Sequence, residues 1–162
     1  MRDNPTSPWQ TIGTPPTTDP GSSAAPTPAS VPPPLAVAGP QPGVPAPEAA
    51  DRLPIVPQYA LARVWWLGTH GGAGESTLAN LVEHTAAAGH AWPVPGDPRI
   101  APLHRVVLVA RTNMHGLRSA QRAAIQWASQ TLPPTIQVDG LVLMADAPGR
   151  LPKALRDAAE VI

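Results

Sequence analysis

The pattern of apolar positions divides the chain near residue 59. Beyond that point short apolar runs alternate with segments of helical periodicity. Arg63-Val64-Trp65-Trp66-Leu67-Gly68 is rich in strand-favouring side chains and closes on a glycine. A glycine-rich turn, Thr69–Gly74, follows it. Residues Glu75–Gly89 predict a helix, because Leu78, Leu81, Val82 and Thr85-Ala86 recur at i, i+3, i+4 and i+7 and Gly89 supplies a stop. Residues 92–102 hold Pro93, Pro95, Pro98 and Pro102 and read as a loop. Arg105–Ala110 is a continuous apolar run, the signature of a strand covered on both faces. Gly116 to Thr131 predicts a second helix with Leu117, Ala120, Ala124 and Trp127-Ala128 on one side, ended by Pro133-Pro134. Val138–Ala145 reads as a third strand. Leu151 to Ile162 reads as a third helix, with Pro152 tolerated in its first turn. Strand and helix alternate throughout, which predicts a small three-layer α/β domain with a parallel sheet and right-handed crossovers. Three strands are few for two covering layers, so the domain reads as a shortened unit completed by a partner, either another protein or a second copy.

Residues 1–58 carry a different signal. Fourteen of the 24 prolines fall in the first 50 residues, with only Arg2, Asp3, Asp19 and Glu48 charged. Proline fixes φ and removes a donor, so neither helix nor sheet propagates. Few bulky side chains are present to offset the ordering entropy. The expectation is a disordered tail of polyproline II character, acting as a linker or, through Pro32-Pro33-Pro34, as a ligand for an aromatic groove. Ordered structure is then expected over 59–162.

Composition narrows the function classes. There is no Cys, so a disulfide framework, a cysteine zinc site and a thiol nucleophile are excluded. The formal net charge is +0, which gives no global field for nucleic acid. No apolar run is long enough to span a membrane. Pro5 and Pro8 stand where a secretory signal needs an apolar stretch, so a cytoplasmic protein is expected.

The chemistry-bearing segment is Thr69-His70-Gly71-Gly72-Ala73-Gly74-Glu75-Ser76-Thr77, between a strand and a helix start. In that setting successive amides converge on one concavity, where an anion is welcome. The run from His70 to Thr77 resembles the deviant Walker A loop of the ParA/MinD group of P-loop ATPases, whose pattern is Lys-Gly-Gly-x-Gly-Lys-Ser/Thr-Thr. Leu78 to Gly89 looks like that group's first helix, and the resemblance extends to small proteins of GC-rich Gram-positive bacteria. It implies a P-loop NTPase-like domain, ATP or GTP with Mg²⁺ as ligand, and Ser76 as the hydroxyl that meets the metal. Both lysines of the pattern are replaced, by His70 and Glu75. The lysine that Glu75 replaces neutralises charge growing on the β/γ-phosphates. A carboxylate there repels a triphosphate by several kcal/mol, while suiting the first turn of a helix. Bound nucleotide is therefore disfavoured, and the expectation is a catalytically impaired binding or regulatory module rather than an enzyme. The alternatives are an ATP or GTP hydrolase that uses a substitute cation, and a structural interaction protein without a ligand, in which the glycine loop is only a tight turn.

Asp146 closes the run Leu141–Ala145 and begins Asp146-Ala147-Pro148-Gly149, which makes it a Walker B-like candidate or simply the start of a Pro-Gly turn. Asp97 reads as a loop residue. His70, His84, His90, His104 and His115 show no ligand spacing, so no metal site is expected. Arg118 and Arg122 share a helix face; they and Arg111 are solvated residues, partners for an anion, or substitutes for the missing lysines.

Overall fold

The computed structural model describes residues 39–97, 99, 103–160 and 162. The described residues belong to a unit spanning Ala36–Ile162. Most of the proline-rich stretch expected to be disordered lies outside the described residues. So do Pro98 and Pro102 of the expected loop.

The strands are β1 (Ile55–Gln58), β2 (Val64–Gly68), β3 (Thr85–Ala87), β4 (Trp92–Pro95), β5 (His104–Arg111) and β6 (Ile136–Met144). The helices are α1 (Glu75–Leu81), α2 (Met114–Ala128) and α3 (Lys153–Ala159), preceded by a 3₁₀ turn at Ala49–Asp51. All pairings are parallel, in a four-stranded sheet of order β3-β2-β5-β6 and a two-stranded sheet of β1 with β4. The chain is thus α/β with parallel strands in two sheets.

Four expectations are corrected. The first helix stops at Leu81 rather than at Gly89. His84 takes a φ of 59° and turns the chain, and Thr85–Ala87 becomes β3 along β2. Pairing the exposed edge of β2 outweighs one more turn of weak helix. Residues 92–95, expected as loop, form β4. Its prolines are tolerated because Trp92 and Gly96 donate to Pro54 and Gln58 of the β1 side, at 2.7 and 2.8 Å. Pro93 and Pro95 fall at the alternate positions, where a ladder donor is not needed. Ordered structure also begins before residue 59, since β1 and the 3₁₀ turn precede it. Finally, the main sheet has four strands where three were expected.

The remaining elements follow the apolar pattern closely. In β2, Trp65 and Leu67 face one way into the core and Trp66 the other, where its indole N–H donates to Thr85 Oγ1 at 3.0 Å. Trp65 and Leu67 join Trp92, Val106, Leu108, Ala123 and Ile136 in one cluster that ties both sheets to α2. Asn113 caps α2, its side chain accepting from the Gly116 amide at 2.8 Å.

Gln126 holds the early segment to this core. Its buried amide accepts from Leu53 N–H at 2.9 Å and donates to Leu53 C=O at 3.0 Å, imitating a strand partner. Gln126→Leu should therefore cost about 1–3 kcal/mol in urea unfolding, because both backbone groups lose their partner. Amide exchange at Leu53 should accelerate with it. Unchanged protection there would mean that the clamp contributes nothing.

Candidate functional site

The glycine loop leaves the carboxyl end of β2, with β3 on one side and β5 on the other. At such a point the chain departs to opposite sides of a parallel sheet, and a crevice opens beyond the strand ends. Thr69 anchors the start of the loop, its amide donating to Val109 C=O at 2.9 Å and its hydroxyl to the same oxygen at 3.3 Å. Ala73 N–H meets His70 C=O at 3.3 Å. Gly72 (φ 75°) and Gly74 (φ 108°) take left-handed conformations that a side chain would strain. Together the loop residues His70–Thr77, with His90 and Arg111, line a cavity of about 320 Å³.

Glu75 does not stand over this cavity as a free charge. Its carboxylate folds back and accepts from the Gly68 amide at 2.5 Å. The reason lies in the sheet. The last bond from the β3 side is Ala88 N–H to Trp66 C=O, so β2 outruns its neighbour and Gly68 faces an empty edge. Glu75 supplies the missing acceptor. His90 supplies the missing donor, with Nδ1 at 2.6 Å from Gly68 C=O. A Cβ on Gly68 would lie 2.9 Å from the Glu75 oxygen, so the glycine makes room for the carboxylate.

Arg111, at the end of β5, reaches the opposite rim. Its Nε donates to Gly72 C=O at 3.1 Å and its Nη1 to Ala145 C=O at 2.9 Å. Among the described residues these bonds leave Nη2 and one Nη1 proton uncommitted. His70 is fixed at both ring nitrogens. Nε2 accepts from the Arg111 amide at 3.1 Å, which places the proton on Nδ1, facing Gly71 C=O at 2.9 Å.

The sequence candidates are therefore partly assembled. Thr69 through Thr77 form one loop, with Ser76 and Thr77 exposed on the first turn of α1. Asp146 stands apart. It follows β6, with β5 between it and β2, is exposed, and does not line the loop cavity. Its amide donates to Thr112 Oγ1 at 3.0 Å. Arg118 is exposed on α2, and Arg122 pairs with Asp51 at 3.0 Å. Among the described residues no three His, Asp or Glu come together in a way that could hold a metal ion, and no helix is long and apolar enough to cross a membrane. The sequence reading gave no role to His90, which lies 22 residues beyond its partner Gly68 in no recognisable spacing. Arg111 carried a weak signal, as a cation closing the strand that follows the loop. No protein-family model, curated protein or solved structure matches this chain.

Proposed function

We propose that this chain is a P-loop-like, three-layer module related in its loop to the ParA/MinD group, and that it binds or regulates a partner without hydrolysing nucleotide. The observation that carries the reading is the bond from the Gly68 amide to the Glu75 carboxylate. At the position where a phosphate-neutralising cation is needed, the chain has an acid that its own fold uses to complete a strand end. A triphosphate brought to this loop meets a like charge that cannot leave without orphaning a backbone donor.

The test is calorimetric titration of the full chain with Mg·ATP and Mg·GTP, alongside Glu75→Lys and Glu75→Gln. The native chain should show no turnover and no saturable binding up to about 1 mM nucleotide, the affinity expected when several kcal/mol are lost. Glu75→Lys should bind at least about tenfold more tightly, corresponding to 1.4 kcal/mol. Glu75→Gln keeps an oxygen for the Gly68 amide while discarding the charge. It should fold normally and fall between the two.

Arg111 favours a second reading, that of a working hydrolase with a substitute cation. Its guanidinium already touches the loop through Gly72 C=O. Turnover by the native chain that disappears in Arg111→Gln would establish that reading and overturn the first.

A further inference from the structure

Beside the loop lies a second, polar cleft of about 280 Å³. It shares His70, Gly71 and His90 with the loop cavity, adds Thr69 at the start of the loop, and takes its other walls from α2 and from residues 50–54. His115, Ser119 and Arg122 project into it from one face of α2, at i, i+4 and i+7. Arg52 faces them from the early segment. The cleft has one carboxylate, Asp51, already paired with Arg122 at 3.0 Å. Two guanidinium groups against one carboxylate leave a net positive charge.

The donors are also largely unspent. Among the described residues no acceptor meets the His115 ring or Ser119 Oγ, while His90 spends its Nδ1 proton on Gly68 C=O at 2.6 Å and serves as a wall. Arg52 commits Nε to Pro47 C=O at 2.7 Å, and among the described residues its terminal nitrogens meet no acceptor. The His115 ring, though exposed, rests edge-on against His70, with centroids 5.3 Å apart and planes at 69°. Imidazole, hydroxyl and guanidinium donors approach from two separate segments of chain, α2 and residues 50–54. That arrangement suits a tetrahedral oxyanion better than a flat carboxylate, which a single arginine fork satisfies. The volume is at the small end of ligand clefts.

We infer that this cleft is a binding site for a small oxyanion of the phosphate class, either free phosphate or the phosphate of a monoester, held by His115, Ser119, Arg122 and Arg52. The inference does not depend on the reading of the glycine loop.

The experiment titrates the full chain, labelled with ¹⁵N in histidine, with inorganic phosphate and separately with ribose 5-phosphate at constant ionic strength. The His115 and His90 ring resonances should move saturably below about 10 mM phosphate. The variant His115→Ala/Arg122→Gln should weaken binding at least about tenfold by isothermal titration, given the strength of charge-assisted bonds. Ser76→Ala, in the glycine loop, should leave the phosphate affinity as it is. Tighter binding of the monoester would identify an esterified ligand, and equal binding would identify the phosphate group alone; either supports the site. Absence of saturable shifts in the native chain overturns the proposal, whatever the variants do. So does binding that survives in the double variant, or that is lost in Ser76→Ala. The loop reading is judged separately, by Mg·ATP and Glu75→Lys, so the two can fail independently.

Discussion

Gly116→Ala is expected to destabilise the protein by about 2–3 kcal/mol, the upper part of the range for overpacking a tight site. Taken as an isolated helix position the change should help, since alanine exceeds glycine by about 1 kcal/mol in α2. The tertiary contact reverses the sign. A Cβ at Gly116 would lie 2.2 Å from the Arg111 carbonyl oxygen and 2.9 Å from its nitrogen. Both are backbone atoms, so no side chain can swing aside. Relief requires moving α2 away from the end of β5 or moving Arg111 itself. Scanning calorimetry should therefore show the midpoint falling by roughly 10 °C, given the size of the ordered unit. An unchanged or raised midpoint would mean that α2 approaches β5 less closely than described. The consequence reaches the site, because the displaced residue is the one whose guanidinium meets Gly72 and whose amide meets His70.

That coupling shows which parts of the site were legible in the sequence. The loop itself was, because glycines between an apolar run and a helix start have few other uses. The identity of Glu75 as an anomaly was also legible. Its orientation was not. A carboxylate at the first helical position reads as a charge beside the macrodipole. In the structure its partner is instead the amide at the end of β2, and that amide is free only because β3 ends early. The length of β3 was in turn hidden by residues 78–86, whose apolar spacing fits a helix equally well. One misread boundary thus concealed both the edge of the sheet and the reason for the acid. Strands β5 and β6 and helix α2 were legible to within a few residues, since each carries its own strong periodicity or an unbroken apolar run. Strands β1 and β4 were not, because prolines 57, 93 and 95 mark loops by local rules. Only the pairing partner reveals that Pro93 and Pro95 occupy positions where no ladder donor is required.

Trp92 decides how far that second sheet matters to stability. It stands at the head of β4, fully buried at 0 % exposure, in the cluster that also contains Trp65 and Leu108 of the main sheet. Trp92→Ala should cost about 3–5 kcal/mol, the loss of a large aromatic from a closed core. That is a large part of the 5–15 kcal/mol that holds an ordinary domain together. The indole nitrogen adds a separate test. Among the described residues Trp92 Nε1 is buried without a partner, as is Trp65 Nε1. An unpaired buried donor costs about 1–3 kcal/mol. Trp92→Phe removes that donor while keeping much of the ring, so it should lie far closer to the native midpoint in urea than Trp92→Ala. If the two variants are equally unstable, the indole N–H is bonded after all and contributes to folding. If both unfold in a single transition with the native m-value, β1 and β4 melt with the main sheet as one cooperative unit. An early separate step would instead make β1 and β4 an independently folding layer.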